Sequence, residues 1–96
     1  MTNTRLSGRL CQNPVFIKGK TQEKDRTWGK IFTIGTDGKP KFTCFCAYGK
    51  QAHRLHKHGK KGTYVTLKGE MILSNILVDY DKTFYQELSV KTMSIP

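Results

Sequence analysis

Acidic residues are scarce in this chain: seven Asp and Glu stand against seventeen Lys and Arg. The resulting net charge of +10 on 96 residues costs compactness through self-repulsion. A polyanionic partner offsets that cost, so nucleic acid is the first expectation, an anionic membrane surface the second and a plain basic protein the third. Long apolar runs are also missing, which excludes a membrane-spanning helix. The opening MTNTRLSGRL has no apolar stretch of the kind a secretory signal needs, and this predicts a cytoplasmic protein. Cysteine is sparse, at positions 11, 44 and 46. An odd number, with two of the three as near neighbours on one strand, argues against a disulfide framework.

Catalytic signatures are absent as well. There is no phosphate-cradling Gly-rich loop and no Gly-x-Ser-x-Gly turn. The carboxylates Glu23, Asp25, Asp37, Glu70, Asp79, Asp81 and Glu87 are scattered, with no pair at a useful spacing. No enzyme is expected. Cys44-x-Cys46 with His53, His56 and His58 supplies soft ligands for zinc. Residues i and i+2 of a strand lie about 6.5–7 Å apart, however, and zinc pairs ordinarily sit on a tight C-x₂₋₄-C knuckle. No second knuckle follows, so neither a metal nor a cofactor is expected.

What is present is alternation broken by glycine. In Lys41-Phe42-Thr43-Cys44-Phe45-Cys46-Ala47-Tyr48, one phase carries Phe42, Cys44, Cys46 and Tyr48, and the other Thr43, Phe45 and Ala47. Side chains alternate across a strand, so two faces are written at once. Similar short runs predict strands over 5–11, continued past Pro14 by 15–18, and then over 28–36, 41–48, 63–78 and 84–93. Residues 19–27 and 79–83 read as loops, and 37–40 as a tight turn. Residues 50–58 have Ala52 and Leu55 at i, i+3 and no β-branched residue, which predicts a short helix closed by Gly59. Three strands, a helix and two strands make the order of the OB-fold, an all-β five-stranded barrel with a short helix between its third and fourth strands. One such domain spanning residues 1–96 is the expectation. Phe32 and Phe45 are expected in its core.

The residues also resemble a family. Arg5-Leu6-Ser7-Gly8-Arg9-Leu10-Cys11-Gln12-Asn13-Pro14 is similar to the opening of bacterial single-stranded DNA-binding proteins, with its Gly-x-Leu-x-x-x-Pro ending. Phe32-Thr33-Ile34-Gly35-Thr36 resembles the second core strand of that family. The stretch from Phe42 to Gln51, with its aromatic-Gly-Lys turn, resembles the third strand. Lys61-Gly62-Thr63-Tyr64-Val65-Thr66-Leu67-Lys68-Gly69 resembles the Lys-Gly-x-x-Val-x-Val-x-Gly entry to the fourth. The opening is also similar to that of the primosomal replication protein N family. The resemblance implies a homo-oligomer, dimer or tetramer, that coats single-stranded DNA without sequence preference in replication, recombination or transfer. It places Phe42 and Tyr48 at DNA-stacking positions. The 37–40 turn is shorter than the family's loop and has no aromatic, Ile76 stands where a tryptophan is found, and the family's acidic tail has no counterpart in these residues. This points to a short, tail-less version of phage or plasmid type.

Binding single strands requires a basic groove for the backbone and aromatic faces for the bases. Phe42, Tyr48, Trp28, Tyr80 and Tyr85 are the candidate plates. Lys30, Lys41, Lys50, Lys68, Arg5, Arg9 and Arg26 are the candidate cations, with Lys18, Lys20 and Lys24 on the long loop beside them. The helical segment adds Lys50, Arg54, Lys57, Lys60 and Lys61 with no acid among them; they either flank the groove or form a solvated face. Two further readings stand beside this one. Trp28-Gly29-Lys30-Ile31-Phe32 echoes the RNA-binding strand of cold-shock barrels, and a primosome-like adaptor would take a helicase or initiator as its main partner.

Overall fold

The computed structural model describes residues 3–78 and 81–95, with side chains described at these positions except 73–85. Six strands and one α-helix follow in the order β1 (Asn3–Leu10), β2 (Val15–Ile17), β3 (Arg26–Ile34), β4 (Pro40–Tyr48), α1 (Lys50–His58), β5 (Tyr64–Val78) and β6 (Asp81–Ser94). A 3₁₀ turn at Gln22–Lys24 lies in the loop before β3.

The sheet closes on itself. β1 runs antiparallel to β5, from Asn3 opposite Glu70 to Arg9 opposite Tyr64. β5 and β6 form a long antiparallel hairpin. β6 then lies parallel to β4, with Cys44 opposite Glu87 and Cys46 opposite Ser89. β4 and β3 form a second hairpin, from Arg26 opposite Tyr48 to Ile34 opposite Pro40. Arg9 and Leu10 of β1 pair with Phe32 and Ile31 of β3 and complete the ring. The circuit β1-β5-β6-β4-β3-β1 is a five-stranded, OB-like barrel. The helix joins its third and fourth strands, β4 and β5, as the sequence order predicts. Residues 15–18 were expected to continue the first strand. Instead Val15–Ile17 fold back as β2 and add a sixth strand beside β3. The second hairpin strand, β6, begins at Asp81 rather than at 84.

Alternation explains the core. Leu10, Ile31, Phe45, Ala47, Val65, Leu67, Leu88 and Val90 point inward from five strands, and Leu55 closes one end from α1. Burying each large aliphatic or aromatic side chain is worth about 1.5–3 kcal/mol. Gly69 lies at a register shift on β5, where a side chain would collide with the Ser89 carbonyl, so the two strands approach closely there. Ala52 and Leu55 are the buried face of α1, and Thr27 Oγ1 donates to the Ala52 carbonyl at 2.8 Å to hold the helix on β3.

Phe32 departs from its expected place. The inward phase of β3 is Thr27, Gly29 and Ile31, so Phe32 lies on the outer face, half-buried, and Ile34 is 61% exposed. Gly29 is opposite Phe45, and a Cβ on it would come within 3.0 Å of the Phe45 ring. The ring of Phe45 therefore occupies the space above Gly29. A one-residue slip that turned Phe32 inward would also turn Lys30 inward. Among the described residues no helix is long and apolar enough to cross a membrane.

Candidate functional site

The outer face of β3 and β4 gathers five of the twelve candidate residues, Phe42, Tyr48, Trp28, Lys30 and Arg26. Directly opposite residues of an antiparallel pair share a face. The register therefore sets Phe32 beside Phe42, Lys30 beside Cys44, Trp28 beside Cys46 and Arg26 beside Tyr48. Phe42 is 62% and Tyr48 51% exposed, whereas Phe45 between them on the other phase is fully buried. Six residues of strand put the two exposed aromatics about 20 Å apart. Phe32 meets Phe42 edge to face, with ring centroids 5.3 Å apart, and holds the Phe42 ring from one side. Trp28 is partly covered and Lys30 is exposed. On β2, Val15 and Ile17 lie opposite Trp28 and Arg26 and extend the face with exposed aliphatic surface.

The middle of this face is closed by charge. Arg26 Nη2 lies 3.3 Å from Glu87 Oε2, and the Glu87 side chain is only 4% exposed. Beside them Cys46 is buried although it belongs to the outer phase. Burial pushes its thiol up to about 12, and the hydrogen bond to Glu87 and the charge of that carboxylate act in the same direction. Cys46 is thus a protonated, packed thiol. Among the described residues no group of three or more His, Cys, Asp or Glu is arranged to hold a metal ion.

The remaining cations fall in three places. Arg5 is opposite Lys68 on the β1–β5 surface, and with Lys91 they line a shallow depression of about 340 Å³. Arg9, on the same face of β1, is opposite both Tyr64 and Phe32. Lys41 is beside Phe42 in sequence but in the other phase; both line a cavity of about 510 Å³ with Leu6, Thr43 and Met71. Lys50 lies with His53 and Arg54 along a groove of about 610 Å³ at the start of α1, where Gln22 and Glu23 form the other wall. Tyr80 lies outside the described residues, and the side chain of Tyr85 lies outside the described side chains.

The long basic loop is pinned at its end. Asp25 is buried, accepts the Gly19 N–H at 2.7 Å, and takes a hydrogen bond from His53 Nε2 at 2.8 Å. The Gly19 N–H and His53 hold its carboxyl below the usual carboxylate range. His53 and His56 both lie against the Phe16 ring, at centroid distances of 5.3 and 4.6 Å. Two of these histidines are thereby committed to packing β2 onto the helix.

Sequence reasoning passed over Tyr64. It is 48% exposed, with the Arg9 guanidinium 5.9 Å from its ring centroid. Its signal was the alternation itself: Val65 and Leu67 point in, so Tyr64, Thr66 and Lys68 point out. No protein-family model matches the chain, and no curated protein matches it. A functional reading therefore rests on the residues.

Proposed function

We propose that this protein binds single-stranded DNA without catalysis and with little sequence preference, keeping strands unpaired and protected. The observation that carries the reading is the pair Phe42 and Tyr48, each more than half exposed on one face of an OB-like barrel, in a chain with a net charge of +10. In barrels of this kind the face of the second and third barrel strands, here β3 and β4, takes oligonucleotides. Every base has a π-face, so an exposed ring gives affinity without a code, worth about 1–3 kcal/mol per base. Lys30 on that face and Arg9, Arg5 and Lys68 beyond it supply the backbone attraction.

Titration with a thymidine oligomer, a matched uridine oligomer and a duplex at two salt concentrations tests the reading, with Trp28 fluorescence as the signal. Tight binding of the thymidine strand is expected, with a log–log salt slope near −0.7 per phosphate contacted. Preference for uridine would move the protein to RNA, and no binding to any of the three would overturn the reading. Homo-oligomerisation is part of the proposal, because Val15, Ile17, Ile34 and Ile72 leave aliphatic surface exposed. Sedimentation with and without DNA reads it directly.

A further inference from the structure

The barrel register aligns four side chains that are far apart in sequence. Phe42 on β4 is opposite Phe32 on β3, Phe32 is opposite Arg9 on β1, and Arg9 is opposite Tyr64 on β5. All four share the outer face. The row runs across the strands rather than along them, and three strand spacings give it a length of about 14 Å. Its two ends are the exposed rings, Phe42 at 62% and Tyr64 at 48%. Phe32 touches Phe42 edge-on, and the Arg9 guanidinium carbon sits 5.9 Å from the Tyr64 centroid, within cation–π range. Arg9 is further held by donating from Nη1 to the Gly62 carbonyl at 3.0 Å. Beyond Tyr64 on the same surface lie Arg5, Lys68 and Lys91.

We infer that Tyr64, positioned by Arg9, is a further base-stacking station, and that a bound single strand crosses the barrel along Phe42–Phe32–Arg9–Tyr64 toward the Arg5–Lys68 depression. The inference rests on the single-strand reading above and assigns its path. Charge complementarity selects the occupant. A ring flanked by a guanidinium with three more cations beyond it suits a chain that alternates flat bases with phosphates. An apolar protein partner would instead leave Arg9, Arg5 and Lys68 buried against it without partners. Arg9 has two tasks in this arrangement, to fix the Tyr64 ring and to meet a phosphate between the β3 and β5 stations.

The test uses thymidine oligomers of increasing length within the ~4–16-nucleotide range of such barrels, bound to the wild type and to Phe42→Leu, Tyr64→Leu and Tyr64→Phe. Leucine keeps apolar bulk and removes the ring; thermal melting checks that each variant folds as the wild type does. Phe42→Leu is expected to weaken every length. Tyr64→Leu should leave the shortest oligomers unchanged, weaken the longest by about 5- to 160-fold, and shorten the occluded length, while Tyr64→Phe keeps wild-type affinity. Loss of binding in Phe42→Leu with Tyr64→Leu unaffected at all lengths would end the path on β3 and overturn the inference while the functional reading stands. A Tyr64→Leu defect that appears only together with a change in sedimenting mass would make Tyr64 a contact between copies and also overturn it. A wild type that binds no single strand would remove both.

Discussion

The two ends of the outer face of β4 carry the same kind of plate in different settings. Phe42 and Tyr48 share a strand and a phase and are exposed to similar degrees, 62% and 51%. Phe42 is braced edge-on by Phe32, with Lys30 the next residue of the outer phase on β3 and Arg9 the next across the barrel. Tyr48 is opposite Arg26, whose guanidinium is turned to the buried carboxylate of Glu87. The cation directly opposite Tyr48 is therefore matched within the protein, whereas Lys30 and Arg9 near Phe42 appear in none of the described ion pairs. Equal exposure does not make equal sites. The outer-face cations beside Phe42 stay open to a polyanion while the one opposite Tyr48 does not, and the Phe42 end continues into a row across the barrel.

The largest effect comes from removing the floor beneath both ends. Phe45 is fully buried, its ring packed over Gly29 between the two plates. Phe45→Ala should cost about 3–5 kcal/mol of stability, read by denaturant unfolding, and should lower binding at both ends together. If stability falls by less than about 1 kcal/mol, the inner phase of β4 is not the core that alternation assigns. Next comes the comparison itself. Phe42→Ala should weaken binding of a thymidine oligomer by about 1–3 kcal/mol with little loss of stability. Tyr48→Ala should weaken it less, and equal losses would show that the Arg26–Glu87 pair does not set the two ends apart.

Much of this was legible in the sequence, and what was not has a common cause. The two phases of β4 could be read from ten residues, and so could the helix, from Ala52, Leu55 and Gly59. The position of the helix between the third and fourth barrel strands gave the OB-like order. Phe32 was expected in the core and lies outside it, because Ile31 and Phe32 are adjacent and both apolar. Which of them faces inward is decided by Phe45 filling the space over Gly29, a contact between strands. β2 was hidden because a three-residue strand has too little alternation to show a reversal. The tie between Arg26 and Glu87 spans 61 positions and leaves no local trace. Arg26 therefore reads as a free cation in the sequence and as half of an ion pair in the fold. The Arg9–Tyr64 contact depends in the same way on which strands close the barrel.

The ion pair offers a sharper cut. Glu87→Gln keeps the shape of the side chain and removes its charge. A buried, charged hydrogen-bond partner lost in this way should cost about 1–3 kcal/mol of stability, measured by urea unfolding. Arg26 would at the same time become an uncompensated cation beside Tyr48. Affinity for a single strand at low salt should rise, the salt slope should steepen by up to about 0.7, and the Tyr48→Ala defect should grow toward that of Phe42→Ala. Stability and affinity thus move in opposite directions. A variant that loses both would show that Glu87 supports the face by packing rather than by holding Arg26.

The smallest effect is a pH dependence centred on Cys46, which lies between the two ends. Its thiol is raised from 9.0 to about 12 by burial and by Glu87. A group whose native pKa lies above its unfolded value contributes stability that is complete below the unfolded pKa and is lost as pH rises toward the native one. Here the unfolded chain releases the Cys46 proton from about pH 9 upward, while the folded chain retains it to about 12. Stability should therefore decline through that window, by about 1 kcal/mol near pH 10 from this thiol alone. The readout is the difference between wild type and Cys46→Ala, which isolates this thiol. The variant should be less stable at neutral pH, because a small cavity opens, yet its unfolding free energy should fall less steeply between pH 9 and 12. Parallel slopes would mean that Cys46 meets water in the native state, and the closed centre of the face, with its contrast between the Phe42 and Tyr48 ends, would have to be redrawn.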